Sequence, residues 1–105
     1  MAQRFDYAAS PGPYAAMIDL QQSLEESAIE TVLAHLVRLR ASQLNGCAYC
    51  IDMHWKDLRA LGESEQRLYG LSAWREYAWY TERERAALAW TEAVTLVHGG
   101  VPDEV

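Results

Sequence analysis

The chain has 105 residues and a formal net charge of −6 at pH 7. That length holds one hydrophobic core rather than two, and a composition 50% hydrophobic and 23% charged is that of a globular chain, not a disordered tail. The acidic balance argues against a nucleic-acid-binding domain, and no apolar run approaches the ~18 residues of a membrane-spanning helix.

Ala, Leu, Glu, Arg and Gln supply about half of the residues, whereas Val, Ile, Thr and Phe are sparse. An all-α domain of about five to six helices is therefore expected. Met1–Tyr7 has no apolar run behind a basic start, so no signal peptide is read there and a cytoplasmic location is expected. Ser10, Pro11, Gly12 and Pro13 read as an irregular arm, with Pro13 in the first turn of a first helix that carries Tyr14, Met17, Leu20 and Leu24.

Ser27 and Glu30 have the spacing of a capping box, which predicts the start of a second helix. Its apolar stripe would be Ile29, Val32, Leu33, Leu36, Val37 and Leu44, and Gly46 suits its left-handed end. A third helix is predicted from Ala48 to Leu61. Ser64 would cap a fourth, with Leu68, Leu71 and Trp74 on one face. Thr81 and Glu84 form a second capping box, ahead of a fifth helix with Ala87, Leu88, Trp90, Val94 and Val97 that stops at Gly99-Gly100. His98 would sit in its last turn, where a cation suits the dipole. Val101–Val105, with Pro102 and two acids, reads as the opening of a sixth helix.

The chemistry concentrates in Cys47-x-x-Cys50-x-x-x-His54, at the start of the third helix. Residues three apart at a helix start can bring their sulfurs together into a small-ring disulfide. The free N–H groups and positive dipole end of a helix N-terminus stabilise a thiolate. Cys50 and His54 stand at i, i+4, so the imidazole can take the thiol proton. Position favours Cys47 as the attacking sulfur, and the His54 partnership favours Cys50; more weight goes to the positioned base. Beyond this dithiol no cofactor is expected. A rival reading is a zinc site with Cys47, Cys50, His54 and His35 as ligands. The plain reading of His35 is a half-buried histidine on the face through Val32, Leu39 and Gln43. Tyr49 and Trp55 flank the motif, with core packing the plain reading for each. The cluster Trp74, Tyr77, Trp79 and Tyr80 is core or subunit interface, and Thr81–Arg85 reads as a solvated first turn.

The stretch from Leu36 to His54, LVRLRASQLNGCAYCIDMH, resembles the core of the alkylhydroperoxidase AhpD-like proteins of the carboxymuconolactone decarboxylase superfamily. The segment Ser72–Glu76, the segment ERAALAWTEAVTLV from Glu84 to Val97, and the opening RFDYAASPGPYAAM are similar to it too. The resemblance implies an all-helical fold, assembly as trimers or hexamers, and reduction of small-molecule hydroperoxides by a thiol mechanism. It implies Cys50 as peroxidatic nucleophile, Cys47 as resolving thiol, His54 in the proton relay, and a lipoyl-bearing or other dithiol protein as reductant. Family members continue past Val105, so the resemblance implies one domain over 1–105 lacking one or two C-terminal helices.

Two departures stand out. The family's relay glutamate falls on His35, and the histidine that founding members carry between the cysteines falls on Tyr49. Both changes predict low peroxidase activity. The alternatives are a zinc-binding or redox-sensing helical module without turnover, and a decarboxylase-type enzyme of the superfamily, for which a redox dithiol has no evident use.

Overall fold

The structure is a computed structural model and describes residues 6–105. Five α-helices follow one another: α1 (Pro11–Glu25), α2 (Thr31–Asn45), α3 (Ala48–Ala60), α4 (Glu65–Tyr69) and α5 (Glu82–Thr95). A 3-10 helix over Leu71–Glu76 joins α4 to α5, and short 3-10 turns occupy Tyr7–Ala9 and Val97–Gly99. No strand occurs among the described residues, so the all-α expectation holds. None of these helices is long and apolar enough to cross a membrane.

Helix α2 is the central element. It packs against α3 on one side and α5 on another. Its inward stripe is Leu33, Leu36 and Leu39, followed by Ser42, which donates to the Arg38 carbonyl at 2.6 Å. Around Leu36 and Leu39 gather Leu58 of α3, Leu68 of α4, Leu71 and Trp74 of the 3-10 helix, and Tyr80 and Leu88. Tyr77 and Trp79 stack at 3.8 Å between centroids, 5° from parallel, against this core. The aromatic cluster is therefore core in this chain.

Helix ends separate good sequence signals from misleading ones. Gly46 closes α2 at φ 65°, a conformation glycine adopts without steric cost. Ser64 and Thr81 cap α4 and α5, and Thr81 with Glu84 completes its box in both directions. The Ser27–Glu30 box does not form. Ser27 Oγ accepts instead from Ile29 N–H at 3.4 Å, and Glu30 becomes an N-cap whose side chain makes no capping bond. Glu30 pairs with Arg83 of α5, so a contact distant in sequence displaces the local cap. Ile29 is left outside the helix and 52% exposed.

Four further features differ from expectation. Helix α1 begins at Pro11, so Pro13 does lie in its first turn, but Pro11 and Gly12, read as an irregular arm, are already helical. The predicted fourth helix is broken after Tyr69, and Ala73 leaves helical geometry at φ −121°, ψ 32°. Helix α5 ends at Thr95, so His98 lies beyond it in an exposed 3-10 turn and is not in its last turn. Val101–Val105 forms no helix: one bond from Val105 N–H to the Pro102 carbonyl closes a single turn, short of a helical nucleus.

The run Thr81–Arg85 is not simply solvated. Glu84 reaches Arg67 of α4, whose guanidinium also donates to the Trp79 carbonyl at 2.9 Å. Arg85 donates to the carbonyls of Trp74 and Tyr77 at 3.2 and 3.1 Å. Tyr80 donates to the Arg67 carbonyl at 2.6 Å, and burial pushes its phenol up to about 12. A second knot centres on Glu92 of α5, which accepts from Arg40 Nε at 3.0 Å, from Trp74 Nε1 at 2.9 Å, and from Arg75. It ties α2, the 3-10 helix and α5 together.

Candidate active site

The dithiol stands where α2 turns into α3. Gly46 permits the turn, and Cys47 N–H donates back to the Ser42 carbonyl at 3.1 Å. Cys47 then adopts extended backbone as the N-cap of α3, and its sulfur accepts Cys50 N–H at 3.2 Å. A cap sulfur and a third-position sulfur face the same end of the helix, and here they are joined as a disulfide, S–S 2.00 Å. Both cysteines are half-buried.

His54 follows Cys50 by one turn on α3. His35 reaches it from α2, with the two Nδ1 atoms 3.3 Å apart and the rings tilted by 49°. A hydrogen bond at that distance needs a proton on one Nδ1 and a lone pair on the other. Burial lowers the His54 pKa below its ordinary 6.5, and the neighbouring His35 and the Arg38 guanidinium add to that, against the raising effect of Asp57. This direction favours the neutral, proton-accepting form of His54. Asp57, one turn past His54, places a carboxylate oxygen 3.9 Å from His35 Nδ1.

Two grooves meet at this pair. The larger, ≈ 490 Å³, runs between Met17, Leu20 and Leu24 of α1 and Arg38, Met53 and His54. The smaller, ≈ 310 Å³, has Glu25, Ile29 and His35 in its lining. Leu24 and Arg38 border both.

Of the residues singled out from sequence, Cys47 with Cys50 and His35 with His54 are each brought together. Tyr49, given a core role, is 77% exposed, because its position in the first turn of α3 points away from α2. Trp55 does pack on the core. In the disulfide state the four-residue zinc set has no thiolates to offer. Asp57 and Arg38 were not anticipated. Each stands three residues beyond a site histidine on the same helix, and that spacing was the available signal.

A family model for carboxymuconolactone decarboxylase matches residues 11–93, and the chain belongs to that family. It is 43% identical over 107 residues to YdfG of Bacillus subtilis (strain 168), an uncharacterized protein, across 100% of this chain and 73% of that one. It is 27% identical over 79 residues to the uncharacterized YnjA of Escherichia coli (strain K12), across 75% of this chain and 43% of YnjA. Among solved structures it superposes with a TM-score of 0.89 and 46% identity on ATU0492 of Agrobacterium tumefaciens, over 98% of this chain and 72% of that one. ATU0492 is a protein of unknown function for which the role of antioxidant defence protein AhpD is suggested. The AhpD-like fold, with its cysteine pair at the start of the third helix, is thereby shown for this chain.

Proposed function

We propose that the chain is a thiol-dependent hydroperoxide reductase. The observation that carries this reading is the disulfide at the start of α3 with an imidazole one turn on and a second imidazole behind it. The role suggested for ATU0492 supports it.

In this cycle His54 takes the Cys50 proton, and the thiolate attacks one peroxide oxygen. A sulfur–oxygen bond forms as the oxygen–oxygen bond breaks, and the alcohol leaves with the proton returned from His54. Cys50, oxidised by two electrons, is now a sulfenic acid. The Cys47 sulfur displaces its hydroxyl as water and closes the disulfide. An external dithiol, on a lipoyl-bearing or similar protein, returns two electrons and two protons and becomes a disulfide itself. His35 passes protons between His54 and the smaller groove. The larger groove, walled on one side by apolar α1 side chains, suits the carbon chain of an organic hydroperoxide. A reducing compartment such as the cytoplasm sustains the cycle.

The test is turnover of an organic hydroperoxide by the reduced chain with a dithiol donor. Cys50→Ser should abolish turnover. Cys47→Ser should stop after one equivalent with a trappable sulfenic acid. His54→Gln should slow peroxide-dependent thiol loss about 100- to 10,000-fold. Full turnover by Cys50→Ser would refute the assignment.

A further inference from the structure

We propose that His35, His54 and Asp57 form a site for one divalent first-row transition cation of the zinc type. The three donors come from two helices, and their ligating atoms all lie within 4.8 Å of one another. The spacing of the nitrogens is the specific observation. Two zinc–nitrogen bonds of ~2.0–2.1 Å at a tetrahedral angle place their nitrogens about 3.3 Å apart. The two Nδ1 atoms stand at 3.3 Å already.

The alternative occupant of that gap is a single shared proton. Two bare lone pairs facing each other repel, and so do two protonated nitrogens. A cation satisfies both lone pairs at once. Both rings are half-buried and held by packed helices, so little order remains to be imposed. Asp57 Oδ2 is 3.9 Å from His35 Nδ1, longer than a tetrahedral edge, but its side chain is 49% exposed and free to close by a small rotation. Its negative charge offsets the positive charge of Arg38, which in turn lies 4.0 Å from Glu25. Two imidazoles and one carboxylate leave a fourth tetrahedral corner open to water.

No sulfur belongs to this set, so the site exists in the disulfide form and differs from any zinc site built on the two thiols. One consequence rests on the peroxidase reading. A metal on His54 Nδ1 leaves the ring's proton on Nε2, with no lone pair for a thiol proton. Metal loading and turnover then exclude one another.

The deciding experiment uses the disulfide form, stripped with a chelator and titrated with Zn²⁺ by calorimetry and with Co²⁺ by visible absorption. One ion per chain and a tetrahedral cobalt spectrum are expected. Asp57→Asn should weaken binding about 10- to 100-fold. His35→Gln and His54→Gln should abolish it while leaving the helical circular dichroism intact, and the Cys47→Ser/Cys50→Ser double variant should bind as the parent does. No binding to the disulfide form, or undiminished binding by His35→Gln, would overturn the site. Because the disulfide form performs no peroxide step, this result stands apart from the peroxidase test. Turnover of the reduced chain that persists at saturating zinc would overturn the mutual exclusion.

Discussion

At the scale of single residues, Glu84 illustrates how an outward-looking sequence position becomes structural. It completes the α5 cap and pairs with Arg67 across from α4. Burial alone would raise its pKa, but the Arg67 guanidinium and the Thr81 N–H outweigh burial and hold it below its ordinary 4.5. A carboxylate with a depressed folded pKa contributes stability that is present above the unfolded value and lost as pH falls through the folded one. Thermal unfolding followed against pH should therefore show a loss below pH 4.5. Glu84→Gln should unfold at lower temperature near neutrality and show a shallower acid decline; an unchanged acid limb would deny the Arg67 pair its role. The same scale explains what could be read in advance at the site. Cys47, Cys50 and His54 lie within one helical segment, so spacing alone relates them. His35 is 19 residues from His54, and nothing local shows that their nitrogens meet. Asp57 gains meaning only once that meeting is known.

At the scale of elements, two capping boxes with equally good local patterns had opposite outcomes. Thr81–Glu84 formed because its glutamate also found Arg67. Ser27–Glu30 failed because Arg83 draws Glu30 outward. Local patterns propose helix starts, and tertiary contacts select among them. The break after α4 has a similar origin. Gly70 adopts ordinary right-handed backbone, so its φ does not demand glycine. The demand is spatial: a Cβ there would lie 2.6 Å from a Trp79 ring atom and 3.1 Å from one of Tyr77. Gly70→Ala must push apart the stacked pair and should cost about 1–3 kcal/mol in denaturant unfolding. A loss near zero would mean that the stack shifts freely.

At the scale of the whole molecule, the helical class and the place of the dithiol were legible because composition and spacing carry them. The division of labour among helices was not. Helix α1 looks like any amphipathic helix, yet it buries no residue, and Met17, Leu20 and Leu24 are 65%, 55% and 55% exposed. The core closes without it. Self-association through α1, into the trimer or hexamer implied by the resemblance, would cover that face. Light scattering should then give a mass several times that of one chain, and Met17→Glu with Leu20→Glu should lower it while preserving helical content. A parent of single-chain mass would refute assembly.

The two grooves beside the histidines give the site a front and a back. His54 borders only the larger and His35 only the smaller. A bulky guest seated in front thus leaves the rear entrance open to solvent. On the peroxidase reading proposed above, the imidazole pair would act as a partition that protons cross and carbon chains do not, so proton supply and cargo would not queue at the same door.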